Sequence, residues 1–210
     1  MVEPNFHEAM WSKRYRDVGD GFLFGSEANR YLRQHVGALP AKGRVLCVAD
    51  GEGRNSVWLA QQGFLVTATE ISPVAVDKAR THARRAGVEV DYRLQDILDW
   101  DAPTDAFDAV VAVFIQFAAQ SEQPKLFAQL KAALRPGGVL ILLGYTLKQL
   151  EYKTGGPPCA EQLYDEALLR EHFDDCEVLR LDVYEDELAE GTGHCGRSAL
   201  IGLIARRPPL

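Results

Sequence analysis

The sequence predicts an α/β fold: an open sheet of seven strands, mostly parallel, with helices on both faces and an antiparallel hairpin strand at the C-terminal end. Three observations predict it. Short apolar runs alternate with amphipathic stretches, the form of strand–helix–strand crossovers. "FDAVVAVF", Phe107–Phe114, is nearly all apolar, as a strand covered on both faces must be. The last two strand-like runs are joined by a loop with no helical stretch, so they pair antiparallel.

The elements follow in order. Residues 1–40 read as an N-terminal helical cap and residues 41–210 as the core. Strand one is Val45–Val48, and its helix runs from Arg54 to Gln62, where Gly63 stops it. Strand two is Leu65–Thr69. Ser72 caps the next helix and Pro73 opens its first turn; Val76, Ala79, Ala83 and Ala86 share one face, and Gly87 ends it. Strand three is Glu89–Leu94 and strand four Phe107–Phe114. A helix over Pro124–Leu134 is broken by Arg135-Pro136-Gly137-Gly138, and strand five, Val139–Leu143, follows. A helix over Glu161–His172 precedes strand six, "CEVLRLDVYE", and "SALIGLIARR" is the last strand. Six strands run parallel and the seventh is reversed.

A chain of 210 residues suits one such domain. Its net charge of −7, with no basic block, argues against a general binder of nucleic acid or membrane surfaces. The opening "MVEPNFHEAMWSKRYRD" lacks a signal-peptide core, and no apolar run reaches spanning length, so a cytoplasmic location is expected. Cys47, Cys159, Cys176 and Cys195 form no CxxC pair, and the histidines form no HxxxH pair; no metal site is expected.

The chemistry starts at "RVLCVADGEGRNSVWLAQQGF". Asp50-Gly51-Glu52-Gly53 is a glycine turn at which strand one hands over to a helix, at the ligand-binding edge of a Rossmann-like sheet. Gly51 and Gly53 allow a tight turn and close approach, and the following helix aims its free N–H groups there. Glu70, roughly 20 residues beyond the first glycine, ends strand two where a carboxylate accepts ribose hydroxyls. Asp50 and Glu52 repel a pyrophosphate and attract a cationic ligand. S-adenosylmethionine, with an ammonium, a sulfonium and an adenosine, fits that demand.

With "VLCVADGEGRN", "TATEIS", "QDI", "FDAVVAVF" and "LRPGG" in this order, the chain resembles class I S-adenosylmethionine-dependent methyltransferases over most of its length. "GEGRNSVWLAQQGF" and "GTGHCGRSALIGLIARR" further resemble the tellurite-resistance and thiopurine-methyltransferase-like group. Two departures stand out: Cys47 and Ala49 replace an acidic residue and a glycine of the usual first motif. Either Asp50 or Glu52 therefore meets the ammonium, and Ala49 is small enough for close approach.

The resemblance implies a cofactor set of Ala49, Asp50, Gly51, Glu52, Gly53, Asn55, Glu70, Ile71, Asp96, Ile97, Val113, Phe114 and Gln116. Within it, Asp96 takes the adenine amino group beside the Ile97 backbone, Ile71 packs on the adenine, and Val113–Gln116 line the methionine portion. S-adenosylhomocysteine is the expected product. Trp11, Tyr15 and Phe24, in an aromatic N-terminal segment, are candidates to close over a small-molecule substrate, with cation–π attraction to a sulfonium. Tyr145, in the long segment after strand five, faces the substrate. His194 and Arg197, in the loop between strands six and seven, hold or activate a small anionic acceptor by the group resemblance. Thiols, metalloid oxyanions and other small nucleophiles are the acceptors in view. The rival readings are an NAD-dependent oxidoreductase, which Ser56 at the third glycine position disfavours, and a cofactor-binding module without turnover.

Overall fold

The computed structural model describes residues 6–209, so Met1–Asn5, part of the stretch read for a signal peptide, lie outside the described residues, as does Leu210. Seven strands form one sheet: β1 (Arg44–Cys47), β2 (Leu65–Glu70), β3 (Asp91–Leu94), β4 (Phe107–Val113), β5 (Leu134–Tyr145), β6 (Glu177–Glu190) and β7 (His194–Arg206). Their spatial order is β3-β2-β1-β4-β5-β7-β6. β1 to β5 pair parallel, while β7 runs antiparallel to both β5 and β6. The sheet is thus the one expected, with β7 reversed.

Alternate residues of the central strands feed two apolar layers, as the period of two requires. Val45 and Cys47 of β1 face one layer with Val57 and Leu59 of helix α3 (Arg54–Gln61) and Val76, Ala79 and Ala83 of helix α4 (Pro73–Ala86). Leu46 faces the other with Leu126, Phe127 and Leu130 of helix α5 (Gln123–Ala133) and Leu169 of helix α7 (Glu166–His172). The caps act as the sequence indicates: Ser72 Oγ accepts the Ala75 N–H at 3.2 Å, and Gly87 ends α4 at φ 69°.

Helix α1 (Phe6–Asp17), helix α2 (Arg30–His35) and a short α6 (Gln149–Tyr152), with single 3-10 turns at Val36–Ala38 and Ala160–Gln162, complete the described elements. Asn29 caps α2 through its side-chain oxygen, which accepts the N–H groups of Tyr31 and Leu32. The Lys78 ammonium joins α1 and the turn after it to the core, donating to Tyr15 O at 2.7 Å, Gly21 O at 2.9 Å and Glu52 Oε1 at 2.9 Å.

Several boundaries differ from expectation. β5 starts at Leu134, because Phe107 of β4 pairs with Leu134 before a bulge restores the register at Ala109 and Val139. The Pro-Gly-Gly run sits in that bulge. The helix expected over Glu161–His172 begins only at Glu166, since Tyr164 bridges to Thr146 and Asp165 caps the helix, accepting the Leu168 N–H at 2.8 Å. The hairpin arms are longer than expected: most of the glycine-rich loop is strand, and the turn shrinks to Gly191–Gly193.

Candidate active site

β1 and β4 lie side by side, yet α3 and α5, which follow them, cover opposite faces of the sheet. The strand order therefore turns between them, and a crevice opens at their carboxyl ends. Ala49, two residues past the end of β1, and Phe114, one past the end of β4, hold left-handed backbones at φ 48° and 57°. Such strain in non-glycine residues gathers where a ligand dictates the backbone path. A cavity of about 400 Å³ occupies this crevice.

The glycine turn contributes Asp50 and Gly51 to the cavity lining. Gly51 and Gly53 have φ values of 62° and 86°. Glu70 accepts the Gly51 N–H and the Ser72 N–H, each at 2.9 Å. Burial pushes its carboxyl up to about 7 against these hydrogen bonds. Burial likewise pushes Asp50 up to about 7, against the hydroxyl of Ser56, which donates to Oδ2. Asp50 Oδ1 is buried without a hydrogen-bond partner in the structure. A polar atom left in that state costs free energy unless a ligand satisfies it.

Of the expected cofactor set, Ala49, Asp50, Gly51, Asn55, Glu70, Ile71, Asp96, Ile97, Val113, Phe114 and Gln116 line this cavity. Trp11, Tyr15, Phe24, Tyr145 and His194 line it too. Three expectations need correction. Glu52 faces the N-terminal cap: it pairs with Lys78 and accepts the Leu23 N–H at 2.7 Å, because Gly51 in left-handed conformation turns the next side chain away. Asp50 alone of the two turn carboxylates reaches the cavity. Gly53 packs against α4, where a Cβ would stand 2.6 Å from the Tyr92 hydroxyl. Gln116 lines the cavity as expected, its amide held by backbone: it donates to Tyr145 O at 2.9 Å and Gln162 O at 3.0 Å and accepts the Tyr145 N–H at 2.5 Å.

Arg197 is the third correction. Read as loop, His194 and Arg197 were neighbours; on β7 an odd spacing sends them to opposite faces. Arg197 is exposed and donates through Nε to Glu185 at 2.8 Å, on the outside of the hairpin.

His194 also lines the cavity. Its ring lies against Phe24, Phe114 and Tyr145, with centroid separations of 4.4, 4.3 and 5.6 Å. Burial depresses its pKa, and the neighbouring Glu190 carboxylate opposes that shift. The imidazole is therefore neutral, and a proton acceptor, at neutral pH. The Tyr145 hydroxyl beside it is buried without a hydrogen-bond partner in the structure, and burial keeps it protonated. Arg54 donates to Glu190 at 2.8 Å and to Phe24 O at 3.0 Å.

Sequence reasoning missed Arg54, Glu190 and Arg14, all at or beside the cavity, whereas the strap of Gly155–Pro158 belongs to the long segment after strand five that the sequence places at this edge. Arg14 shares a helix face with Trp11 at i,i+3, a spacing that points to it; its guanidinium lies 4.6 Å from the Trp11 ring centroid. Nothing in the linear sequence joins Arg54 to Glu190.

The comparisons agree with this geometry. Residues 45–138 match the family described as "Methyltransferase domain". The fold is that of a class I S-adenosylmethionine-dependent methyltransferase. A ubiquinone biosynthesis O-methyltransferase of Xanthomonas axonopodis pv. citri (strain 306) is 38% identical over 105 residues, which are 49% of this chain and 43% of that protein. The chain thus spans less than half the length of that methyltransferase. A solved structure from work on the conversion of a disulfide bond into a thioacetal group during echinomycin biosynthesis superposes with a TM-score of 0.78 at 19% identity, covering 96% of this chain and 91% of that one. TehB from Haemophilus influenzae gives 0.70 at 18% identity, covering 95% and 66%. At these identities both show the methyltransferase fold and leave the tellurite-resistance grouping open.

Proposed function

We propose that this methyltransferase-fold chain transfers the methyl group of S-adenosylmethionine to a protic nucleophile, a hydroxyl or a thiol, on a small flat acceptor. One observation carries the reading: a single cavity is lined both by the buried carboxylates Asp50 and Glu70 and by a buried, neutral histidine beside a tyrosine hydroxyl. The orphaned Asp50 oxygen suits the cofactor's ammonium, Glu70 suits the ribose hydroxyls, Asp96 the adenine amino group, and Ile71 and Ile97 the adenine itself. The N-terminal cap, through Trp11, Tyr15 and Phe24, closes this site over the core.

The cofactor supplies a methyl group on a sulfonium, which leaves as a neutral thioether. The protein's share is alignment, exclusion of water and removal of the acceptor's proton. Trp11, Tyr15, Phe24 and Phe114 enclose the reacting centre with aromatic faces, which also favour a sulfonium. His194 takes the acceptor's proton and Tyr145 donates a hydrogen bond to its nucleophilic atom. The hydroxyl as acceptor is supported by the O-methyltransferase relative; with Arg197 outside the cavity, the case for a metalloid oxyanion weakens. A dinucleotide is disfavoured because the Gly51 N–H, which a pyrophosphate needs, is given to Glu70. Four free thiols fit a reducing, cytoplasmic setting.

Calorimetry with S-adenosylhomocysteine and with NAD tests the cofactor, and labelled S-adenosylmethionine with phenols, thiols and amines tests transfer. Binding of NAD alone overturns the reading. Product-binding without any transfer leaves a non-catalytic binding module.

The two buried carboxyls also set a pH dependence. Their folded pKa values, about 7, lie above the ordinary ones, so the folded state holds protons that the unfolded chain has lost. The stability they contribute is full below about 4 and is lost as pH rises through about 7. A cationic ligand needs them ionised, so affinity for S-adenosylhomocysteine, which keeps the ammonium, rises between pH 6 and 8 with proton release. Calorimetry in buffers of different ionisation enthalpy measures that release; zero net proton exchange at pH 6.5 contradicts the expectation.

A further inference from the structure

Glu190 sits on the last residue of β6 and faces His194, the first of β7, as its cross-strand partner. Its carboxylate joins three elements. Oε1 accepts from Asn29 Nδ2 at 2.9 Å, from the cap of α2. Oε2 accepts from Arg54 at 2.8 Å, from the start of α3. The same Oε2 is 3.7 Å from His194 Nδ1, on β7. The Arg54–Glu190 pair is buried, with side-chain exposures of 8% and 13%. His194 is itself only 7% exposed, and its Nδ1 has no hydrogen-bond partner in the structure.

A buried carboxylate fixed by two donors and turned toward one imidazole nitrogen is an acceptor for an N–H at that nitrogen. The ring has little freedom to turn elsewhere, because Phe24, Phe114 and Tyr145 pack around it. A separation of 3.7 Å is long for a hydrogen bond, and such contacts tighten when a site closes on its ligands. The tautomer of a histidine is set by the bond its other nitrogen makes. We propose that Glu190 is a positioning residue: it holds His194 as the Nδ1–H tautomer, so that Nε2 carries the lone pair that takes the acceptor's proton.

This rests on the reading of His194 as the base, and it adds the residue that makes it one. The groups around the imidazole are Glu190, Arg54 and Tyr145, with the Arg14 cation also felt by it. Arg54 has a double part. It neutralises the carboxylate's charge and, through the Phe24 carbonyl, ties the cap to the same node. Burial alone works to raise Glu190, yet His194 and Arg54 hold it down to about 2, so it stays a charged acceptor throughout the working range.

The test is the protonation pattern of the imidazole nitrogens. Protein carrying ¹⁵N-histidine, saturated with S-adenosylhomocysteine at pH 8, is examined by long-range ¹H–¹⁵N correlation, with His194→Gln assigning the signal. The expected result is a proton on Nδ1 and none on Nε2, changing toward Nε2–H in Glu190→Gln. A wild-type ring protonated on Nε2, or a pattern unchanged in Glu190→Gln, overturns the proposal. Should that variant fail to fold, the wild-type tautomer decides alone. With an acceptor found in the transfer panel, Glu190→Gln lowers kcat by at least about tenfold with the cofactor KM unchanged. Loss of KM alone overturns it. Failure of S-adenosylhomocysteine to bind wild-type protein defeats the cofactor reading, while the tautomer is still read in the free protein.

Discussion

Lys78→Met is expected to undock the N-terminal cap and lower stability by about 3 kcal/mol, the lower end for breaking a buried ion pair. The ammonium holds three groups together: two backbone carbonyls of the cap, Tyr15 O and Gly21 O, and the Glu52 carboxylate of the glycine turn. Methionine fills the stem's volume and leaves Glu52, whose side chain is 3% exposed, with the Leu23 N–H as its remaining hydrogen-bond donor among the described residues. An uncompensated buried carboxylate is the costly product of that change. For a chain of this length the loss amounts to a fall in Tm of roughly 6–12 °C. Because Trp11, Tyr15 and Phe24 wall the cavity, S-adenosylhomocysteine should also leave faster. Thermal melting and limited proteolysis of residues 18–24 measure the effect. An unchanged Tm with an unchanged cleavage rate shows that the cap is held by its apolar contacts instead.

Asp50→Asn is expected to weaken S-adenosylhomocysteine binding about 10- to 150-fold without loss of fold. A charge-assisted hydrogen bond to a buried group is worth about 1.5–3 kcal/mol, which converts to that range. Asn keeps the shape and can still accept from Ser56, but offers the ammonium no charge. At pH 8 the wild-type apo protein carries this carboxylate ionised and buried against its preference, so the variant should melt at an equal or higher temperature there. The signature is the opposition of the two readouts, weaker ligand and firmer fold. Equal affinity in both proteins removes Asp50 from the cofactor site.

Much of the architecture was readable in advance because it depends on local chemistry. Ser72-Pro73 and Gly87 bracket α4, and the apolar run of β4 could only be a buried strand. The glycine turn and the strand-end Glu70 stand where the pattern put them. The hairpin was harder. "EGTGHCGRSA" reads as loop by composition, yet its residues extend two paired strands, because the long register between β6 and β7 overrides the local preference of glycine.

The same limit separates the site residues. That Asp50, Glu70, Asp96 and the aromatic segment share one cavity wall was legible because each lies at a strand end or in a distinctive run. Glu52 and Arg197 misled, since a turn's handedness and a strand's alternation decide where neighbouring side chains point.

Sequence alone determined the strand–helix alternation, the ligand-binding edge and the acidic character of its turn, all of which follow from short-range pattern and charge. Only the tertiary structure decided that Arg54, Glu190 and His194 meet, that Lys78 ties the cap to the turn, and that one Asp50 oxygen stands unpaired in the cavity. The physical reason is that burial and pairing are properties of side chains far apart in the chain, and no local signal records which of them folding brings together.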